Sequence, residues 1–323
     1  MATWAAAEGF RLCRWWGSGA YGPKYGALLA LIALVLGNVF FTPNFVSWAN
    51  GANLALQVTT TVLAATGLAL VVAAGGIDLS VGSVMAVAAA VAAVLIPHGV
   101  LVAMAASLVA AGAIGATNGV MTARFGIQPI VVTLAMLIAG RGLAQVISND
   151  GQLILITSDR FNQLGQGRLG PISIPVLVMV AVVGVTWFIM RETIFGRYVV
   201  AVGGNAEAAR MAGIPVLRTR VAVYGISALF AALAGLVEAA RLGASDPAKI
   251  GLGMELDAIA AVVVGGTVLS GGRSNIPGTL IGAVLLQVIA TSMNMHLVGF
   301  AWSLVVKAII LLAAVYVQRP ARV

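Results

Sequence analysis

Three long stretches of this chain contain no Asp, Glu, Lys or Arg: between Lys24 and Asp78, between Asp78 and Arg124, and between Arg273 and Lys307. Each is longer than the roughly 20 apolar residues with which a helix crosses the hydrocarbon core. Gly and polar residues mark turns inside them, so each has room for one or two crossings. Only 9% of the 323 residues are charged and 61% are hydrophobic, whereas a soluble domain carries about 25% charged residues. Lipid, not water, is the main solvent. In lipid the backbone must satisfy its own hydrogen bonds, which leaves helices or a closed barrel. Unbroken apolar runs without a period of two select helices.

The fold class is therefore an all-α polytopic membrane protein of about ten transmembrane helices. The spans are expected at 25-41, 53-74, 80-96, 99-121, 127-148, 171-190, 219-240, 256-270, 276-295 and 298-318. Residues 1-24 form an N-terminal cytoplasmic segment, 25-318 the transmembrane domain and 319-323 a cytoplasmic tail. With the N-terminus inside, Arg11, Arg14, Lys24, Arg124, Arg191, Arg197, Arg210, Arg218, Arg220, Arg319 and Arg322 are cytoplasmic, and Arg160, Arg168, Arg241 and Lys249 lie outside. That asymmetry is the positive-inside pattern. The net charge of +8 is dispersed between spans instead of gathered on one face, which argues against nucleic acid as a partner. Cys13 is the single cysteine, so no internal disulfide forms. No cleavable signal peptide is expected, because the first apolar run leads into another span.

Gly75-Gly76-Ile77-Asp78-Leu79-Ser80-Val81-Gly82 returns 190 residues later as Gly265-Gly266-Thr267-Val268-Leu269-Ser270-Gly271-Gly272. Glycines interrupt a hydrophobic helix and permit close backbone approach. Irregular backbone at membrane depth survives only when buried in protein or lining a wet cavity. Paired interruptions in two halves point to a transport site, which makes Gly75, Gly76, Asp78, Ser80, Gly265, Gly266 and Ser270 candidates for the substrate pathway. Tight cytoplasmic turns between antiparallel helices are the plainer alternative.

Other motifs exclude chemistry. Leu269-Ser270-Gly271-Gly272-Arg273 resembles the signature of ABC ATPases, but Lys24, Lys249 and Lys307 are the only lysines and none completes a P-loop. His98, His296 and one Cys cannot build a zinc site of known spacing. Neither a metal nor another cofactor is expected on this chain.

A charge near the bilayer centre costs at least about 2.5 to 3.5 kcal/mol, so each asks for a reason. Asp78 either lines the pathway or caps the helix that starts near Ser80. Arg141 either snorkels outward or faces the pathway. Lys307 calls for a carboxylate, with Asp78, Glu238 and Asp257 as the candidates. Gln57, Asn118, Thr133, Gln145, Gln287 and Asn294 are neutral polar residues at membrane depth that either meet a hydroxylated solute or join helices. Of these, Gln57, Asn118, Thr133 and Asn294 join Arg141 among the pathway candidates.

The outer segment 149-170 is polar and reads as a lid or docking surface. The inner loop 191-218 carries five basic residues and a short helix that Asn205 caps, Glu207 favours at its first turn and Gly213 with Pro215 ends. An amphipathic helix on the inner face suits a partner groove.

The runs GGIDLSVGS (75-83), IQPIVVTLAMLIAGRGLAQ (127-145), GRYVVAVGGNAEAARMAGI (196-214), ELDAIAAVVVGGTVLSGGRSNIPGTLIGA (255-283) and VVKAIILLAAV (305-315) resemble, in this order and spacing, the permease subunits of bacterial ribose-type sugar ABC importers. That group shares a superfamily with branched-chain amino acid permeases. Ile127-Gln128-Pro129 and Ala139-Gly140-Arg141-Gly142 look most like its galactofuranose-type members. The resemblance implies a protein of the bacterial inner membrane that pairs with a second permease, identical or related, against ABC ATPase subunits that bind ATP and magnesium. A periplasmic sugar-binding protein delivers a monosaccharide. It also implies that Gly203, Gly204, Asn205, Glu207, Ala208, Ala209, Arg210 and Gly213 form the segment that couples to the ATPase. An ion-coupled secondary transporter is the alternative class; its expected mark is a buried carboxylate relay, here Asp78, Glu238 and Asp257.

Overall fold

The computed structural model describes residues 22-317, and the expectations for the N-terminal segment up to residue 21 and for the tail from residue 318 lie outside them. The described chain is helical almost throughout. It comprises α1 (Gly22–Phe41), α2 (Trp48–Ala73), α3 (Val81–Leu95), α4 (Val100–Ala123), α5 (Pro129–Ile147), α6 (Asp159–Gln166), α7 (Ile174–Glu192), α8 (Ile194–Gly204), α9 (Ala206–Met211), α10 (Val216–Leu242), α11 (Met254–Val264), α12 (Ile276–Met295) and α13 (Phe300–Val317). Two-residue strands add small ladders: Ile154–Leu155 (β1) pairs with Ala244–Ser245 (β4), and Arg168–Leu169 (β2) with Ile172–Ser173 (β3).

Each of the ten expected spans coincides with a helix, and among the described residues seven helices are long and apolar enough to cross a bilayer. The protein is thus polytopic and all-α in its crossings. The helix expected at 256-270 ends at Val264. Its 11 residues rise only about 16 Å, half a bilayer.

α2 and α10 form the centre. Every residue of α2 from Val58 to Ala73 is buried, including a run of threonines whose hydroxyls need acceptors; Thr59 and Thr66 donate to the carbonyls of Ala55 and Val62, one turn back. Small residues let α10 approach its neighbours. A Cβ on Gly67 of α2 would lie 2.9 Å from the Ser227 backbone, one on Gly115 of α4 2.6 Å from the Ala228 side chain, and one on Gly119 2.5 Å from Val221. Small-residue seams of this kind replace the hydrophobic drive that lipid removes.

Segment 149-170 folds onto the C-terminal end of α10. Phe161 of α6 is fully buried, and Gln166 Nε2 donates to the carbonyls of Ala240 and Arg241 at 3.2 and 3.1 Å. These are terminal carbonyls that the helix itself leaves unpaired.

Candidate functional site

Three irregular pieces of backbone lie against the two central helices, and each is explained by the residues beside it. The first is 74-80, the interruption between α2 and α3. Gly75 takes φ +78°, which frees the chain from α2. A Cβ on Gly76 would sit 2.5 Å from the Tyr224 hydroxyl, so any side chain there has to displace that ring. Asp78, 1% exposed, accepts from the N–H and hydroxyl of Ser80 at 2.9 and 2.6 Å and from the Ser227 hydroxyl of α10 at 3.2 Å. Asn118 Nδ2 of α4 donates to Ser80 Oγ at 2.9 Å, and Thr133 Oγ1 of α5 lies 3.3 Å from the Ile77 carbonyl. Of the two readings of Asp78, capping takes a different form from the one expected: its carboxylate bonds the amide of Ser80, the N-cap residue of α3, which itself makes no side-chain cap. Asp78, Ser80, Asn118 and Thr133 therefore form one buried network that ties the interruption to α4, α5 and α10.

The level of this network follows from register. Ser227 is near the middle of α10, whose 27 residues span about 40 Å. Further along α10, a Cβ on Gly235 would run into the backbone of Met85 in α3. α3 thus runs alongside α10 in the same direction and begins half-way along it, so that residues 74-80 climb from the N-terminal part of α10 to its middle.

The second irregular piece is 243-253, between α10 and α11, in the stretch left between the spans expected at 219-240 and 256-270. Gly243, Gly251 and Gly253 take φ of +64°, +66° and +74°. The segment folds back along α10: Ile250 is fully buried, and a Cβ on Gly82 would strike the Gly251 carbonyl and the Glu255 carboxylate. The N-termini of α3 and α11 consequently meet at mid-level, one helix rising from there and the other descending. Buried carbonyls in such a segment need donors. Arg141 of α5 supplies them, its Nη1 donating to Pro247 O at 2.9 Å and Ile250 O at 2.7 Å. A guanidinium, a donor with no acceptor atoms, suits that duty. The available signal was the shortness of the apolar run after Met254, too brief to cross alone.

The third piece is 265-275. Asn275 donates through Nδ2 to Gly265 O at 2.9 Å, and its N–H lies 3.2 Å from Thr267 Oγ1. Gly265 packs backbone to backbone on Gly278 of α12. Gly266 takes φ +85° and Ser270 is exposed in the turn that follows.

The two glycine copies meet each other and the inner loop. Gly272 N–H donates to Ala73 O at 3.0 Å. A Cβ on Gly271 would lie 2.7 Å from Gly203 O and 2.8 Å from Gly75 Cα, one on Gly272 3.0 Å from Gly204 Cα, and one on Gly203 would collide with Ala73 O. Gly75, Gly203, Gly204, Gly271 and Gly272 thus form a contact of bare backbones joining both copies of the repeat to the end of α8.

Beyond it α9 stands exposed. Asn205 Oδ1 accepts from Ala208 N at 3.0 Å, Gly213 turns with φ +80°, and Arg210 pairs with Glu207 at 2.9 Å. Ala209 faces inward, while Ala208, Gly213 and Met211, 81% exposed, face away.

Other expected residues fall elsewhere. Gln57 accepts from Gln287 at 2.8 Å on an exposed surface, and Asn294 is exposed near the end of α12. Lys307 has Asp257 as its partner, bonding both carboxylate oxygens at 2.9 Å, and so joins α13 to α11. Beside Gly75 and Gly76 the chain leaves a void of only about 10 Å³, lined also by Thr122, Pro129, Arg220 and Tyr224. No solute of sugar size passes there in this state.

Among known proteins, residues 50–315 match the family described as branched-chain amino acid transport system / permease component. The chain is 41% identical over 297 residues to the ribose import permease protein RbsC of Escherichia coli (strain K12), covering 90% of this chain and 91% of the relative. It is 38% identical over 299 residues to RbsC of Bacillus subtilis (strain 168), covering 92% of each. It is also 37% identical over 294 residues to the L-arabinose ABC transporter permease protein AraH of Azospirillum brasilense, covering 90% of this chain and 86% of the relative. No solved structure matches. By the match over most of its length and by these identities, the chain belongs to the branched-chain amino acid transport system permease family.

Proposed function

We propose that this chain is the membrane-spanning permease of an ATP-driven importer of a monosaccharide, working in the bacterial inner membrane by alternating access. Ten crossings between residues 25 and 318, with both termini cytoplasmic, agree with the dispersal of its basic residues. The observation that carries the reading is the backbone contact of Gly203 and Gly204 with Gly75, Gly271 and Gly272. An ATPase that grips α9 pushes, through α8, on a place where both repeat copies touch. No side chain intervenes to absorb the movement.

The remaining assignments follow from this arrangement. Asn205, Glu207, Ala208, Arg210 and Gly213 present α9 to the ATPase, which binds ATP and magnesium. α3 and the short α11 start beside each other half-way along α10, the arrangement of interrupted helices that places substrate sites in broken-helix transporters. Asp78, Ser80, Asn118 and Thr133 hold the first of them. With the single chain closed around its interruptions, the route runs where a second permease packs alongside, and a periplasmic binding protein docks on the outer segments.

Two of the three carboxylates that an ion-coupled relay would use are tied up, Asp78 by two serines and Asp257 by Lys307. The test is uptake of ribose or L-arabinose, the sugars named for its relatives, into proteoliposomes holding the chain with an ABC ATPase and a sugar-binding protein from the same organism. Uptake that requires ATP supports the importer. Uptake driven by an ion gradient without the ATPase would establish the alternative.

A further inference from the structure

We infer that Arg141 is a latch on the outer half of the route: it holds segment 243-253 against α3 in the state seen here and passes to the carboxylates of Glu238 and Glu255 when that segment moves. The inference rests on the importer reading for its purpose but not for its geometry.

The segment is built to move as a piece. Left-handed glycines stand at both ends, Gly243 on one side and Gly251 with Gly253 on the other. Its ties to the outer segment are a two-residue ladder, Ile154 with Ser245 and Leu155 with Ala244, and the bond from Ile156 N–H to Gly243 O. Against the helices it is held by burial of Ile250 and by the two bonds from Arg141, at 2.9 and 2.7 Å.

The donor has a second set of partners at hand. A guanidinium carries five N–H donors, and among the described residues Arg141 bonds only the two carbonyls, both through Nη1. Beside it, Glu238 of α10 and Glu255 of α11 each bury an oxygen that has no hydrogen-bond partner. Both carboxylates stand near the turn that Arg141 clamps: the Glu255 carboxylate and Gly251 carbonyl press together on Gly82, and Glu238 lies one turn beyond Gly235, which packs on Met85 as Gly251 does. Both are near enough to act electrostatically on Arg141. Buried carboxylate oxygens left without donors are costly. A guanidinium that left the carbonyls would gain charge-assisted bonds to them. One donor with two alternative acceptor sets, one of them on a hinged segment, is a two-state element of the kind that gates are made from. The parting of segment 243-253 from α3 exposes Ile250 and opens the mid-level meeting of α3 and α11 toward the outside.

The experiment uses the assembled complex in proteoliposomes, with Cys13→Ser as background and Ile250→Cys as reporter, labelled by a membrane-impermeant maleimide from the outer side. At rest and without ATP, Arg141→Gln is expected to raise the labelling rate at least about tenfold, as loss of two charge-assisted bonds implies, and Arg141→Lys to raise it less. During ATP turnover the parent reporter is expected to become accessible, whereas a Glu238→Gln/Glu255→Gln double variant stays protected because the second acceptor set is neutral. Unchanged labelling in the Arg141 variants, or the parent's ATP-dependent rise in the double variant, would overturn the latch. The resting measurement needs neither ATP nor sugar, so it stands apart from any failure of the importer reading. If Arg141→Gln does not assemble, Arg141→Lys and the double variant decide the matter.

Discussion

Alanine at position 203 would set a methyl group on the carbonyl of Ala73, in the contact that joins the inner loop to both repeat copies. Overpacking of this kind costs about 1 to 3 kcal/mol, so Gly203→Ala is expected to lower thermal stability in detergent and to reduce ATP-driven uptake beyond that loss. Gly204→Ala is the control, because nothing lies within 4 Å of a Cβ there. Equal defects in the two would detach function from the contact. Gly76→Leu, driven into Tyr224 Oη, is expected to abolish uptake while leaving membrane insertion intact, as assayed by fractionation. For Lys307 and Asp257, 16% and 31% exposed as side chains, removal of either partner is expected to cost about 2 kcal/mol, and the exchange Lys307→Asp with Asp257→Lys to restore part of it. How much could be read from the residues follows from range. Asn205 as a cap and Gly213 as a terminator are local matters of side chain and neighbouring backbone, and the structure has both. The partner of Lys307 was one of three distant carboxylates, and nothing local distinguishes them.

At the scale of elements, periodicity and apolar length placed a helix at each of the ten expected stretches, because in lipid a helix is the only open-ended way to pair the backbone. Composition misled at one point. The run Ala244-Ser245-Asp246-Pro247-Ala248-Lys249 is polar enough to read as surface loop, yet the residues after it descend to mid-level and bury Ile250, because Arg141 on α5 meets their carbonyls. A donor so far away in the chain leaves no mark on the local pattern. The glycine repeat was legible, but the meeting of its copies through Gly203 was not, since contact between bare backbones leaves no side-chain signature. For α9, Glu207→Arg puts a second positive charge beside Arg210 on its exposed face. It is expected to weaken co-purification of the ATPase roughly tenfold or more, with membrane insertion unchanged.

For the whole molecule, the architecture is a lever between two ends. In the proposed reading the inner end offers α9 to the ATPase; half-way along α10, α3 and the 11-residue α11 start back to back, and 243-253 with α6 covers the outer end. Alternating access requires two global states with different contacts in each, and the link between the ends is the glycine contact at the base of α2, α8 and the 265-275 turn. The central claim is that movement at α9 reaches the interruptions through that contact. Its most direct measurement is the distance between spin labels on Met211→Cys and Leu252→Cys, both exposed, in the reconstituted complex with Cys13→Ser, with and without ATP under conditions that trap hydrolysis. A nucleotide-dependent change in that distance, present with Gly204→Ala and absent with Gly203→Ala, is the predicted result. An unchanged distance on trapping nucleotide in a complex that still transports, or the same change with Gly203→Ala, would contradict it.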